Sequence, residues 1–261
     1  MYSHIYSFVS RWEGNPLILG LIAGLIITSF NTVGALLVFF VKKTISQKVL
    51  DLSLGFAAGL MLAASFTSLI LPGIKIGGVF SVVIGISLGA LFFDLATNYI
   101  PHIHFFDNSQ KKKYSIPPLW LFIIAITIHN MPEGLSVGIA MGSHNLKEAI
   151  ALMLAIGIQN TPEGFSVAFS HFAHNPRSKL KSAWIGIQSG LIEIPLSIIG
   201  IVLVTKLNFI LPYAMGFGAG AMLYVISHEI IPEIHSKGYE RIATIGIIIG
   251  IVVMLILDMG L

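Results

Sequence analysis

Two short stretches carry side chains able to hold a cation. His129-Asn130-Met131-Pro132-Glu133-Gly134 and Gln159-Asn160-Thr161-Pro162-Glu163-Gly164 share one pattern: a ligand-type side chain, an amide, any residue, then Pro-Glu-Gly. On a helix, positions i and i+4 share a face, so His129 stands over Glu133 and Gln159 over Glu163. Asn130 and Asn160 flank them. Each proline lacks an N–H, which leaves the carbonyls of Ile128 and Ile158 without their helical donor. A membrane helix tolerates such a bend where the freed carbonyl meets protein, water or an ion. A single Pro-Glu-Gly is also compatible with a kinked helix and a neutralised glutamate. Two copies on neighbouring helices point to function instead.

The acidic residues sharpen the chemistry. Glu133, Glu163, Glu193 and Glu229 all fall well inside long apolar runs, where no Lys or Arg does, Lys147 and Arg241 standing only at the run ends. A carboxylate at a helix centre costs about 2.5–3.5 kcal/mol, so four cost on the order of 10 kcal/mol before any proton or partner arrives. With no internal cation, the counter-charge is a proton or a bound metal. A proton alone does not call for His129, Met61, Asn130, Gln159 and Asn160 nearby. Together these residues suggest a divalent metal: imidazole and carboxylate suit zinc and iron, and a thioether adds a soft donor. His228, in Ser227-His228-Glu229, joins this set. His102, His104, His171, His174 and His235 lie toward one face, either as weak ligands or as ordinary interfacial histidines.

The elements that position these residues are membrane helices. The 261 residues are 55% hydrophobic and 10% charged, against about 25% charged in soluble domains, and the mean hydropathy is +0.88. Eight apolar runs are long enough to span a bilayer core, at about 17–41, 52–71, 77–97, 118–141, 146–171, 182–204, 209–231 and 240–260. Runs this long and continuous are helical, because barrel strands alternate and are half as long. The expected fold is an all-α integral membrane protein of eight transmembrane helices, with one membrane domain accounting for residues 1–261. Cysteine is absent, which excludes disulfide, iron–sulfur and thiolate metal sites. The first fifteen residues lack the form of a cleaved signal peptide.

Most of the 15 basic residues fall in the loops after the first, third, fifth and seventh runs. Positive loops stay in the cytoplasm, so both termini are expected outside. The pI near 9.1 therefore reflects topology and not a nucleic-acid partner.

A second repeat lies outside the central pair. Gly55-Phe56-Ala57-Ala58-Gly59-Leu60-Met61-Leu62 resembles Gly216-Phe217-Gly218-Ala219-Gly220-Ala221-Met222-Leu223. The copies open the second and seventh runs and so enter the membrane from opposite sides. This predicts an inverted repeat, three helices on either side of a central pair (3+2+3), as in many secondary transporters.

The paired His-Asn-X-Pro-Glu-Gly and Gln-Asn-X-Pro-Glu-Gly helices resemble the fourth and fifth spans of the ZIP family of divalent metal transporters, the compact bacterial branch most of all. The resemblance implies that His129, Asn130, Glu133, Gln159, Asn160 and Glu163 build a midplane site with room for two ions. It also implies that Glu193 is an acidic ligand on span six, Met61 a thioether ligand on span two, and His228 and Glu229 a pair on the exit route. Asp258 matches an outer-side access residue. Some relatives place Asp where Asn160 stands, and many carry a long His-rich third loop that is here only His102-Ile103-His104. The resemblance further implies a homodimer in a bacterial inner membrane, with spans one, four, five and six moving against two, three, seven and eight.

Rival chemistries fit less well. An intramembrane metalloprotease needs His-Glu-X-X-His, but His228-Glu229 is followed by Pro232. Gly134-Leu135-Ser136-Val137-Gly138 spells a serine-hydrolase elbow, yet it lacks the strand-to-helix turn that motif requires. The chain is therefore expected to be no enzyme and to bear no cofactor. Its cargo is expected to be zinc foremost, with iron, manganese, cobalt or cadmium also possible, moving into the cytoplasm. The alternative is a proton-coupled carrier or proton channel without a metal substrate.

Overall fold

A computed structural model describes residues 2–41, 46–99, 118–143, 145–174, 178–236 and 238–260. His102, His104, His144 and the basic loop residues Lys42, Lys43, Lys111, Lys112, Lys113, Arg177 and Lys237 lie outside the described residues. The chain is all helical among those described. A short helix, α1 (Tyr2–Ser10), precedes the membrane passes and seats Val9 in the core. Its nine residues are too few to cross a bilayer.

The first pass is α2 (Pro16–Leu36), extended by a tight turn over Leu37–Phe40. Asn15 caps it: Oδ1 accepts from Ile18 N–H, and Pro16 takes the first helical position, where a missing N–H costs nothing. The second pass is α3 (Gln47–Ala64), which widens into a π-helical turn at Ser65–Ile70. Helix α4 (Leu71–Tyr99) carries the chain on. The passes do not divide at Pro72-Gly73, as the apolar runs suggested. The helix continues through Gly77, and the break falls at Gly78, where φ is 78° and ψ is 169°. Only glycine adopts that conformation readily. Pro72 follows directly on the π turn, whose wider bonding has Leu71 N–H donating to the Phe66 carbonyl five residues back.

Helices α5 (Pro118–Met141) and α6 (Leu146–His174) are the fourth and fifth passes, with Pro132 and Pro162 inside them. Asn145 starts α6, its Oδ1 accepting from Glu148 N–H. The sixth pass is broken into α7 (Lys179–Gly190) and α8 (Glu193–Lys206). The seventh comprises α9 (Leu211–Val225), a π-helical turn at Ile226–Ile230 and α10 (Ile231–His235). The eighth is α11 (Glu240–Gly260). Eight helical passes result, and the chain is an all-α integral membrane protein.

Helix pairing follows a pattern. α3 packs on α11 and α4 on α9, while α2 packs on α6 and α5 on α8. The glycine contacts are matched across the two halves. A Cβ at Gly59 would overlap the Ile247 carbonyl, and one at Gly220 would overlap the Ile86 carbonyl. Gly55 meets Ala243 as Gly216 meets Val82. Both π turns are followed by a proline, Pro72 and Pro232, and then by a glycine with positive φ, Gly78 and Gly238.

Candidate metal site

The polar residues of α5 and α6 converge with those of α2, α7, α8 and the seventh pass. His129, Asn130, Glu133, Gln159, Asn160, Glu163, Glu193 and Glu229 are all buried. The two Pro-Glu-Gly motifs owe their glycines to this convergence. A Cβ on Gly134 would lie 2.6 Å from Glu193 Cα, and one on Gly164 would overlap the Asn31 carbonyl. The glycine after each glutamate thus lets another pass come in against it: Glu193 of the sixth against α5, and Asn31 of the first against α6.

Contacts across helices replace the face-sharing pairs read from spacing. Gln159 Nε2 donates to Glu133 Oε1 at 2.6 Å. Asn160 Nδ2 donates to Glu193 Oε1 at 2.6 Å. The other Glu193 oxygen accepts from Thr28 Oγ1 at 3.1 Å, a hydroxyl shared with the Gly190 carbonyl. Asn130 Nδ2 donates to the Ser189 carbonyl at 3.0 Å. That carbonyl is exposed to a side chain because the sixth pass breaks between Gly190 and Glu193. His129 Nε2 lies against Glu229 Oε2 in an ion-pair contact. Glu163 is an electrostatic neighbour of both His129 and Glu133.

Four oxygens in this cluster have no hydrogen-bond partner: Asn130 Oδ1, Glu133 Oε2, Gln159 Oε1 and Asn160 Oδ1. Buried oxygens left bare are costly and call for an explanation such as an ion. Among the described residues no three His, Asp or Glu side chains converge on one point. Amide oxygens must therefore complete any shell around a cation.

The remaining sequence candidates are placed as follows. Met61 is fully buried on α3 in the main apolar core. His228 and Glu229 diverge: Glu229 is buried toward His129, while His228 is exposed and stacked on Tyr224, with ring centroids 5.0 Å apart. Tyr224 in turn donates to Asp94 Oδ1 at 3.0 Å. Asp258 lines a cavity of about 390 Å³ with Thr67, Lys75, Lys147 and Glu148. Of Ser29, Asn31 and Thr32 in the first pass, only Asn31 is seen to bond across helices, donating to the Gly186 carbonyl at 2.9 Å. Ser29 and Thr32 bond back to Ile26 and Thr28 of their own helix, the usual fate of a hydroxyl on a helix. Thr28 escaped the sequence reading. It sits three residues before Asn31 and so on the same face.

The geometry defines a multi-pass membrane protein with a buried acidic and amide site on its central helices. Residues 106–258 match the family model described as ZIP Zinc transporter. The chain is 36% identical to "Zinc transporter ZIPB" of Bordetella bronchiseptica, over 94% of this chain and 81% of that protein. It is 33% identical to "Zinc transporter GufA" of Myxococcus xanthus, over 93% of this chain and 98% of that one. It is 32% identical to "Zinc transporter ZupT" of Escherichia fergusonii, over 92% and 94%. The chain belongs to the ZIP zinc-transporter family, whose members are transporters and not enzymes.

Proposed function

We propose that this protein moves divalent transition-metal ions into the cytoplasm, zinc foremost, through a midplane site on the fourth and fifth passes. The observation that carries this reading is the ring of partnerless oxygens, Asn130 Oδ1, Glu133 Oε2, Gln159 Oε1 and Asn160 Oδ1, beside buried carboxylates. Bound cations would give these oxygens the partners they lack. The His129 imidazole supplies a borderline donor, which with carboxylates suits zinc, and iron, manganese, cobalt and cadmium are further cargo. The relatives' names, zinc transporters throughout, support the choice of metal over a bare proton.

Cargo that binds His129 through Nε2 meets Glu229, whose carboxylate faces that nitrogen. Glu229 then lies next to the ion's path, while His228, one residue earlier, turns outward onto Tyr224. Met61 is kept as a thioether ligand that would reach the ion from α3. We take the chain as a single transport domain of 3+2+3 passes, dimeric, in the inner membrane, with both termini outside. The matched pairings α3 with α11 and α4 with α9 support the inverted repeat. They also support grouping passes two, three, seven and eight against one, four, five and six.

A panel of metal-uptake assays in proteoliposomes tests the reading. Uptake of zinc above protein-free vesicles is the expected result. Proton movement with no metal uptake, and no metal binding by the purified protein, would establish the proton-carrier alternative.

A further inference from the structure

The two amides on α6 face the carboxylates with the wrong end for a metal ligand. Gln159 gives its N–H to Glu133 and Asn160 gives its N–H to Glu193, each at 2.6 Å. In both, the carbonyl oxygen is buried and has no partner. The orientation is forced by charge. An amide oxygen turned toward a carboxylate would be repelled, and the bonds of Glu133 and Glu193 come from the amides and Thr28, with no Lys or Arg among those partners. A cation between the same groups inverts the preference, because it repels the N–H and attracts the oxygen. A primary amide carries both functions on one planar group, and half a turn exchanges them.

We propose that Gln159 and Asn160 are reversible caps. They hold Glu133 and Glu193 by N–H while the carrier is empty, and turn to present oxygen when cargo arrives. The inference rests on the reading of Glu133 and Glu193 as cargo ligands. It assigns the two amides a task in the half of the cycle where no metal is present.

Of the two carboxylates, Glu193 is the one held against movement. The Glu193 backbone is wedged against Gly134, and its second oxygen is held by Thr28. The amides are held by one bond each, so reversal breaks one bond and frees an oxygen that had none. An empty carrier lacking the cap must cross the membrane with a bare buried carboxylate. A carrier exchanging metal for metal never passes through that state.

The test compares net uptake of isotopically labelled zinc with zinc–zinc exchange, in the same proteoliposomes. Gln159→Met removes the N–H and keeps a soft donor. Gln159→Glu removes the N–H and keeps oxygen donors. In both variants the ratio of net uptake to exchange is expected to fall on the order of tenfold, the factor matching one unsatisfied buried acceptor. Exchange itself falls only by what Gln159 contributes to cargo binding, and its persistence reports a folded protein. An unchanged ratio in both variants would overturn the capping role. A lower ratio in Gln159→Met alone would also overturn it, because both variants lack the N–H. Failure of the unmodified protein in both modes would instead remove the transport reading on which the inference rests.

Discussion

Gly134 and Glu193 are in backbone contact: where α5 passes the start of α8, a Cβ at Gly134 would stand 2.6 Å from Glu193 Cα. The Pro-Glu-Gly motif is therefore a packing device, beside the ligand role proposed for its glutamate. Gly134→Ala has to push the sixth pass away and carry Glu193 with it. Overpacking of this kind costs about 1–3 kcal/mol. Thermal unfolding in detergent should show that loss, and zinc affinity should fall with it. An Ala variant with unaltered stability and affinity would mean that the contact is looser than the structure has it.

Glu133→Gln and Glu163→Gln should each remove most metal uptake while leaving the protein folded. Removing a charge from the membrane interior does not hinder insertion. Uptake in proteoliposomes and elution as a single folded species are the two measurements. Normal uptake by both variants would sink the site assignment.

Two neighbouring ion positions should differ in strength. Two divalent ions about 4 Å apart repel strongly, and the carboxylates at hand are Glu133, Glu163 and Glu193. On the Asn130–Asn160 side Glu193 is the only added charge, and it is already drawn to Asn160 and Thr28. One position should fill first, the other only at higher metal. Asn160→Asp should tighten the second, and Glu193→Gln should abolish it while sparing the first. Calorimetric stoichiometry decides this, and two equally tight ions unaffected by Glu193→Gln would refute the charge argument.

The basic loops should face the cytoplasm. The chain has no cysteine, so a single Cys at Ser109, outside the described residues, can be labelled cleanly. An impermeant reagent should reach it in opened membranes and not in intact cells. Labelling from outside would reverse the topology.

Much of the site could be read from local pattern. Pro-Glu-Gly twice over marked Glu133 and Glu163, and a glutamate amid apolar residues marked Glu193 and Glu229. Their partners were harder, because they lie far apart in sequence. Nothing near Gln159 says that its amide crosses to Glu133 and not to Glu163 on its own helix. Thr28 looks like any hydroxyl in a membrane helix until the sixth pass brings Glu193 beside it. The boundary at Gly78 was missed because Pro72-Gly73 reads as a helix end. A π turn, which local spacing does not announce, lets the helix run on past the proline.

Asn31 and Glu193 hold corresponding stations, one beside Gly164 and the other beside Gly134. Two halves descended from one duplicated unit would begin with the same residue at both. Here the Glu193 station holds a carboxylate and the Asn31 station an amide. The centre of the molecule is thus antisymmetric in shape yet lopsided in charge. A cation held between α5 and α6 would meet a gradient from the Asn31 amide toward the Glu193 carboxylate, although the two glycine contacts are alike. Exchanging the two residues, by Asn31→Glu with Glu193→Asn, would turn that gradient around without altering the composition of the chain.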